Sequence, residues 1–487
     1  MPRRHLPWLL LAFAISVAVR APLLNRPLSV HHELCTALVL IILHNWHTDG
    51  FAHHHGAPAI TFSGPADLIP PGYTDAPGLH DSVLYYLSHP PLAYDLPHVL
   101  FALTGSEPNV LGLQVFNLFF HLLTAVALYL IVRELLVKDS TPWAPLFAAV
   151  LYLFMPAPLW FHGNVYMSDM FVQNAWVWHI LAVLRMYKSG ERGWRWPLLA
   201  GLTLFITTCI SWPGVWAGVV LFGIAAFRRM RSRNGQELRI MVMAVLGVGL
   251  ALGYTAWRWL QVVDADALLA YFTGRYADRG TVVDHGTWSH IVQLVVNYRT
   301  GFLPVILIVF VVLVVRRQAV REASTQWPLF LALAGLPVVL DHALLLQYAE
   351  HDFAALKGGV LLCVVGGIGL ATFPTRWAIP GLLVVCLGGV LYFYHTNPLR
   401  SAWEGSYSHD LGSGHNIAYK ALSNETVFTF RFTPEPQAQW YAKRTLFRVD
   451  SLSQAKALLR AQGNATGIVV WPDPMCVGYM TEHITAE

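Results

Sequence analysis

Apolar runs, most of them about 18 to 25 residues, the length that crosses a hydrocarbon core, recur along most of this chain, with a shorter pair at 196–210 and 213–228. They fall at residues 6–24, 110–136, 143–160, 169–187, 196–210, 213–228, 238–260, 302–315, 327–347, 354–373 and 378–396. The pattern therefore predicts a polytopic α-helical membrane protein of about eleven transmembrane helices, with residues 1–396 as its membrane domain. A long segment, 25–109, parts the first two runs and is rich in His, Pro and Gly. Inside it, Glu33, Leu34, Ala37, Leu38, Leu40, Ile41, Ile42, Leu43 and Trp46 repeat at helical spacing over a stretch too short to span. A helix lying along the membrane interface is expected there.

Past residue 397 the pattern changes. Residues 427–432, 445–449 and 467–471 read as strands, and Asp450-Ser451 is placed to cap a helix running to Arg460. Residues 397–487 are expected to form a small α/β domain.

Composition supports the membrane reading: 55% of the 487 residues are hydrophobic and 12% charged, where a soluble protein has roughly a quarter charged. The basic residues set an orientation. Arg3 and Arg4, Arg133 and Lys138, Arg185 to Arg195, Arg228 to Arg233, and Arg316 to Arg321 all fall on one side if the spans alternate. The positive-inside bias places that side and the N-terminus in the cytoplasm, and the C-terminal domain outside a plasma or inner membrane. The net charge of +4 is then an orientation signal and not a nucleic-acid signature. No small-x-small site follows the first run, so a cleaved signal peptide is not favoured. The five cysteines form no framework; only Cys35 and Cys476 would face outside, and a disulfide between them is not favoured. Asn424 and Asn464 open glycosylation sequons. No Walker loop or CxxC motif occurs.

With that orientation the unusual polar chemistry all lies outside. His31-His32-Glu33 opens the expected interfacial helix, where Glu33 is placed either as a general base or as a stabiliser of the helix start. Tyr85, Tyr86, His89, Pro90, Pro91 and Tyr94 form a rigid aromatic entry. Tyr166, Ser168 and Asp169 precede the fourth span, Asp169 serving as an N-cap or as a site carboxylate. Asp341, His342, His351, Asp352 and Lys357 cluster in or beside late spans, where ionisable groups are costly and usually serve a site. Ten of the 22 histidines lie between His31 and His98, which raises the question of a metal. Consecutive histidines such as His53-His54-His55 cannot all face one ion, and no HExxH or HxH occurs, so a solvated loop is expected and no metal ligand or cofactor is assigned.

In this order the motifs resemble the GT-C membrane glycosyltransferases, on the branch of protein O-mannosyltransferases and lipid A aminoarabinose transferases. The resemblance runs from about residue 6 to 375 and rests on His32-Glu33, His89-Pro90-Pro91-Leu92-Ala93-Tyr94, Asp169, Trp212-Pro213-Gly214 and His351-Asp352-Phe353. It implies transfer of a sugar from a polyprenyl-phosphate donor to a lipid, glycan or protein acceptor, outside the membrane, with inversion. The family's acidic pair is Asp-Glu, but here it is His32-Glu33, so the usual base is missing. Glu33 is the first choice to replace it and Asp169 the second, with His32 beside them. Lys357, Arg299, Arg258 and Arg275 are the cations expected for the donor phosphate, near His351 and Asp352. Tyr85, His89, Tyr94, Tyr166, Asp341 and His342 are expected to line the substrate cavity. The competing readings are a transporter and a non-catalytic relative that binds or assembles.

Overall fold

The computed structural model describes residues 5–28, 31–137, 141–190, 193–232, 235–280, 286–395, 414–415, 417–472 and 479–487. Cys476 lies outside them, so the Cys35–Cys476 pairing does too. Seven helical segments among the described residues are long and apolar enough to cross a membrane: Leu6–Leu23, Val110–Leu135, Gly235–Trp259, Thr287–Val315, Trp327–Leu344, Asp352–Ala371 and Thr375–His395. An eighth span results if the bent pair Ala144–Phe154 and Pro156–Asn164 is one crossing. Three further expected spans form helices that miss that standard. Ser168–Ser189 begins with polar residues, Arg195–Ile210 has only 16 residues, and Pro213–Ser232 ends in arginines. The protein is thus a largely helical, polytopic membrane protein with seven or eight apolar spans. Its perimeter is apolar, with Phe222, Leu250, Phe310, Leu383 and Val384 exposed, the surface a bilayer would cover.

Helices are numbered here in chain order. The bundle comprises α1 (Leu6–Arg20), α4 (Val110–Leu135), α5 (Ala144–Phe154), α6 (Pro156–Asn164), α7 (Ser168–Ser189), α8 (Arg195–Ile210), α9 (Pro213–Ser232), α10 (Gly235–Trp259), α12 (Thr287–Val315), α14 (Trp327–Leu344), α15 (Leu356–Ala371) and α16 (Thr375–His395), with the short α13 (Arg317–Glu322) between α12 and α14. Two short helices, α2 (Leu34–Asn45) and α3 (Leu92–Thr104), lie in the 25–109 segment, and α11 (Ala265–Arg279) follows α10.

Local chemistry explains where the helices depart from expectation. Met155 precedes a proline, which disfavours its helical conformation; it is extended at ψ 145°, and α5 and α6 diverge by 62°. The eighth run begins some fifteen residues before its expected start at 302, because α12 is continuous across Gly301. The 33–47 stretch is helical as expected, but its apolar side chains Val39 to Leu43 are wholly buried by protein. The neighbours that cover it include Phe62, Tyr94, Phe171 and Trp440.

The C-terminal residues form a four-stranded sheet in the order β4 (Leu446–Val449), β3 (Thr426–Phe430), β5 (Thr466–Pro472), β6 (Tyr479–Thr485). The short hairpin β1 (Leu79–His80) and β2 (Val83–Leu84) belongs to the 25–109 segment. Strand β3 pairs in parallel with β4 and β5, and β6 adds antiparallel. Helices α17 (Pro436–Ala442) and α18 (Leu452–Gln462) complete the unit, and Ser451 caps α18 by accepting from the Gln454 amide. The sheet is fastened to the first long loop. Arg444 Nε donates to both Asp67 oxygens at 2.9 and 3.1 Å, and Phe62 N donates to Thr445 Oγ1 at 2.9 Å. Ile69 joins Phe428, Phe447 and Val449 in one core.

In the bundle, α15 rests against α5 at backbone range. A Cβ on Gly367 would come within 2.4 Å of the Ala148 nitrogen, so a side chain there must push the two helices apart. Gly367→Val is expected to cost about 1–3 kcal/mol or more through overpacking, read as a lowered melting temperature in detergent. An unchanged melting temperature would show that α15 can retreat from α5.

Candidate active site

A cavity of about 460 Å³ opens where α2, α7, α11 and the α14–α15 corner meet. Each wall has a local cause. The start of α2 contributes His32, Leu34, Cys35 and Leu38. It is held to the turn before α7 by Thr36 Oγ1, which donates to Asn164 O (3.2 Å) and accepts from Tyr166 N (3.0 Å). That turn delivers Asp169 in the first turn of α7. Met167 is the N-cap residue and no side chain caps the helix, so capping does not occupy Ser168 or Asp169. The break between α8 and α9 supplies Trp212 and Trp216, and Trp212 Nε1 donates to Ser88 O at 2.8 Å. Helix α11 presents Arg275 and Arg279, one turn apart, with Phe272 and Tyr276. The α14–α15 corner, made of two short 3-10 turns, brings Asp341, Tyr348, His351 and Lys357.

The electrostatic centre is Lys357. It is 3% exposed, and its Nζ lies 2.5 Å from Asp341 Oδ2 and 3.7 Å from Asp169 Oδ1. The Tyr348 hydroxyl donates to Asp169 Oδ2 at 2.8 Å. Burial and the Asp169 carboxylate push that phenol well up, so it stays a donor. Arg279 Nη1 donates to His351 Nε2 at 2.8 Å. Burial, helped by Arg279 and His32, lowers His351 to about 4, so it is neutral near pH 7 and can accept that bond. His89 is lowered too, chiefly by burial. The Cys35 thiol is raised to about 12 by burial and by Asp169, so it stays protonated near pH 7. Three cations, Lys357, Arg275 and Arg279, therefore face two carboxylates in a cavity that is otherwise mostly apolar. The arrangement suits an anionic headgroup attached to an apolar chain.

The structure brings together His32, Asp169, Lys357, His351, His89, Asp341 and Arg275 among the residues singled out from sequence. The others lie elsewhere. Glu33 is 1% exposed and engaged by Arg26 through two bonds, Nη2 to Oε1 at 2.7 Å and Nη1 to Oε2 at 3.0 Å, and is not part of the cavity lining. Arg258 is turned to Asp95 (Nη1 to Oδ2, 2.9 Å), and Arg299 is exposed on α12. Tyr166 donates to Ala93 O at 2.7 Å, and Tyr85 and Tyr94 are buried in neighbouring packing. His342 meets the Tyr298 hydroxyl at 3.0 Å. Asp352 lies 3.1 Å from His31 and 3.0 Å from His32, beside a separate small cavity. Sequence reasoning missed Arg279 and Trp216. The spacing of Arg275 and Arg279 by four was the available signal, but it is informative only once 265–279 is known to be a helix.

No family's sequence profile matches the chain, and no curated protein matches it by sequence. Solved structures do match. Over 96% of this chain and 94% of the other, the fold is similar to that of ArnT from Cupriavidus metallidurans bound to undecaprenyl phosphate, with a TM-score of 0.63 at 12% identity. It is also similar to the oligosaccharyltransferase AglB from Archaeoglobus fulgidus, in complex with an inhibitory peptide and a dolichol-phosphate. There the TM-score is 0.58 at 12% identity, covering 96% of this chain and 69% of that one. Mycobacterial arabinofuranosyltransferase AftD matches at 0.53 and 12% identity, over 96% of this chain and 37% of its own. The fold is that of the GT-C membrane glycosyltransferases, as the order of motifs implied.

The state of His351 has a consequence for stability. Its folded value, about 4, lies below the roughly 6.5 of an unfolded histidine. The unfolded chain therefore binds the proton first, and stability is lost as pH falls from about 6.5 towards 4. His351→Gln is expected to show a smaller drop in melting temperature over that window than the parent protein. Equal drops would mean that His351 takes no part.

Proposed function

We propose that this protein transfers a sugar from a polyprenyl-phosphate-linked donor to an acceptor at the extracytoplasmic face of a membrane, inverting the anomeric centre. The observation that carries the reading is the cavity itself: Lys357 between Asp169 and Asp341, with Arg275 and Arg279 across from it. The ArnT-like fold around it adds support, since the similar proteins were captured with polyprenyl phosphates. In this reading the three cations stabilise charge developing on the leaving phosphate. The apolar wall of Trp212, Trp216 and Leu252 receives the first part of the lipid. As Lys357 turns to the phosphate, Asp169 Oδ1 loses its cation and becomes the acceptor for the proton of the attacking group. The sugar–phosphate bond breaks as the acceptor–sugar bond forms, and the proton passes to Asp169. Glu33, locked by Arg26, anchors the start of α2 and keeps His32 and Cys35 in the wall. The eleven-helix count, counting α7, α8 and α9 as crossings, the cytoplasmic N-terminus and a separate C-terminal extracytoplasmic domain belong to the same proposal.

The test is transfer in proteoliposomes with a series of polyprenyl-phosphate sugars. Asp169→Asn is expected to lower the rate a hundredfold to ten-thousandfold with donor binding kept, and Glu33→Gln much less. Lys357→Ala is expected to abolish donor binding and, by leaving buried carboxylates without their cation, to cost about 3–5 kcal/mol of stability. Lys357→Arg is expected to retain part of both. Full activity of Asp169→Asn would remove it as the base. Solute flux without transfer would favour a transporter, and donor binding without transfer a non-catalytic binding protein.

Orientation is tested separately. In a Cys476→Ser background, cysteines introduced at Ser232 and Asp450 are expected to label from opposite sides of a sealed membrane. Labelling of both from one side would overturn the topology.

A further inference from the structure

We propose that His31, His32 and Asp352 form a site for one divalent transition metal of the zinc type, open at its fourth position. This goes beyond the transfer reaction and does not depend on it. One ligand atom from each residue lies within 4.8 Å of the other two. His31 Nε2 is 3.1 Å from Asp352 Oδ2, and His32 Nε2 is 3.0 Å from Asp352 Oδ1. Bonds of about 2.0–2.1 Å to a tetrahedral zinc place its ligand atoms about 3.3 Å apart, so the two imidazole–carboxylate contacts are already near that spacing and the remaining separation, within 4.8 Å, closes by side-chain rotation.

Adjacent side chains in a strand or helix diverge, which is why neighbouring histidines rarely share an ion. Here the backbone removes that obstacle. His32 sits at φ +55°, a conformation uncommon for a side-chain-bearing residue, and the two imidazoles stand only 4.9 Å apart. Strain of this kind persists where the surroundings enforce it. Aromatic walls do so: His31 lies against Trp160 at 5.4 Å and His32 against Phe353 at 5.1 Å, with Phe161 touching both. Asn297 Nδ2 donates to Ala349 O at 2.7 Å and steadies the corner that carries Asp352.

Two further observations favour a metal over a plain imidazolium–carboxylate pair. Asp352 Oδ1 is buried and faces His32 Nε2 at 3.0 Å in poor hydrogen-bonding geometry. A carboxylate with one imidazole nitrogen on each oxygen is a donor set that one ion can gather. Beside the cluster is a cavity of about 20 Å³ lined by His31, Asp352, Asn297 and Thr300, enough for a single water as a further ligand. Two imidazoles and one carboxylate suit zinc, cobalt or iron, and disfavour calcium and magnesium, which prefer all-oxygen shells. Because His32 also lines the large cavity, a bound ion would lie in the wall shared by the two cavities.

The test uses the full-length protein in detergent, free of any histidine tag and stripped by chelator. His53→Ala and His55→Ala are built in to remove the two exposed histidines of the His53–His55 run, the densest adventitious metal binder. Zinc titrated by calorimetry is expected to bind at one equivalent and to raise the melting temperature, and Co²⁺ to give the intense visible absorption of a tetrahedral site. His31→Gln and Asp352→Asn are each expected to weaken zinc binding by more than a hundredfold, beyond the 10- to 100-fold typical of losing an outer partner. Should Asp352→Asn fail to fold, His31→Gln alone decides the matter. Saturable binding lost in the variants supports the site. No one-equivalent binding, or binding that the variants leave unchanged, overturns it in favour of an ion pair.

Discussion

The chain's central constraint is a single buried ammonium. Lys357 sits in the first turn of α15, deep in an apolar bundle, and it is affordable there only because Asp341 and Asp169 supply opposite charge. Those two carboxylates come from α14 and α7, so the trio ties three helices to one point. The surrounding wall follows from it. Tyr348 must donate to Asp169, which sets the 3-10 turn after α14, and Arg279 reaches His351 from α11 to close the remaining side. The site is thus an electrostatic knot whose members gain meaning only together.

The overall class of the molecule was legible because apolar run length is a strong signal, and α4, α10, α14, α15 and α16 stand within a few residues of their expected bounds. Three strands and the α18 cap were legible for the same reason, a clear local pattern with Ser451 in place. The bend at Met155 was not taken up from the Met155-Pro156 step, and β6 escaped notice because Tyr479 to Thr485 mixes polar and apolar residues without a clean alternation. The early start of α12 was hidden by Gly301, a residue that weakens helices in water but is tolerated in a bilayer, and by the polar Asn297, Arg299 and Thr300 before it.

The site was legible by residue type and not by direction. Lys357 and Asp341 stood out because ionisable groups in apolar runs are expensive, and Asp169 as a carboxylate at the outer start of a span. Glu33 stood out as a carboxylate at a helix start, yet its distinguishing contact is with Arg26, seven positions away, which nothing in a linear pattern selects. Conversely, the expectation that consecutive histidines do not share an ion holds for a regular backbone, and His32, at positive φ, departs from one.

The clasp between Asp67 and Arg444 joins residues 377 positions apart in sequence. A ribosome adding about 5–20 residues each second would need roughly 20–75 s to produce the second partner after the first. During that time the 61–84 stretch has left the ribosome without the strands that complete its core with Ile69, or the groups that bond Phe62 N and Asp67. The fold on that side of the bundle is therefore the last to close, and until it does the first long loop is the part of the nascent chain most open to proteases and to chaperones.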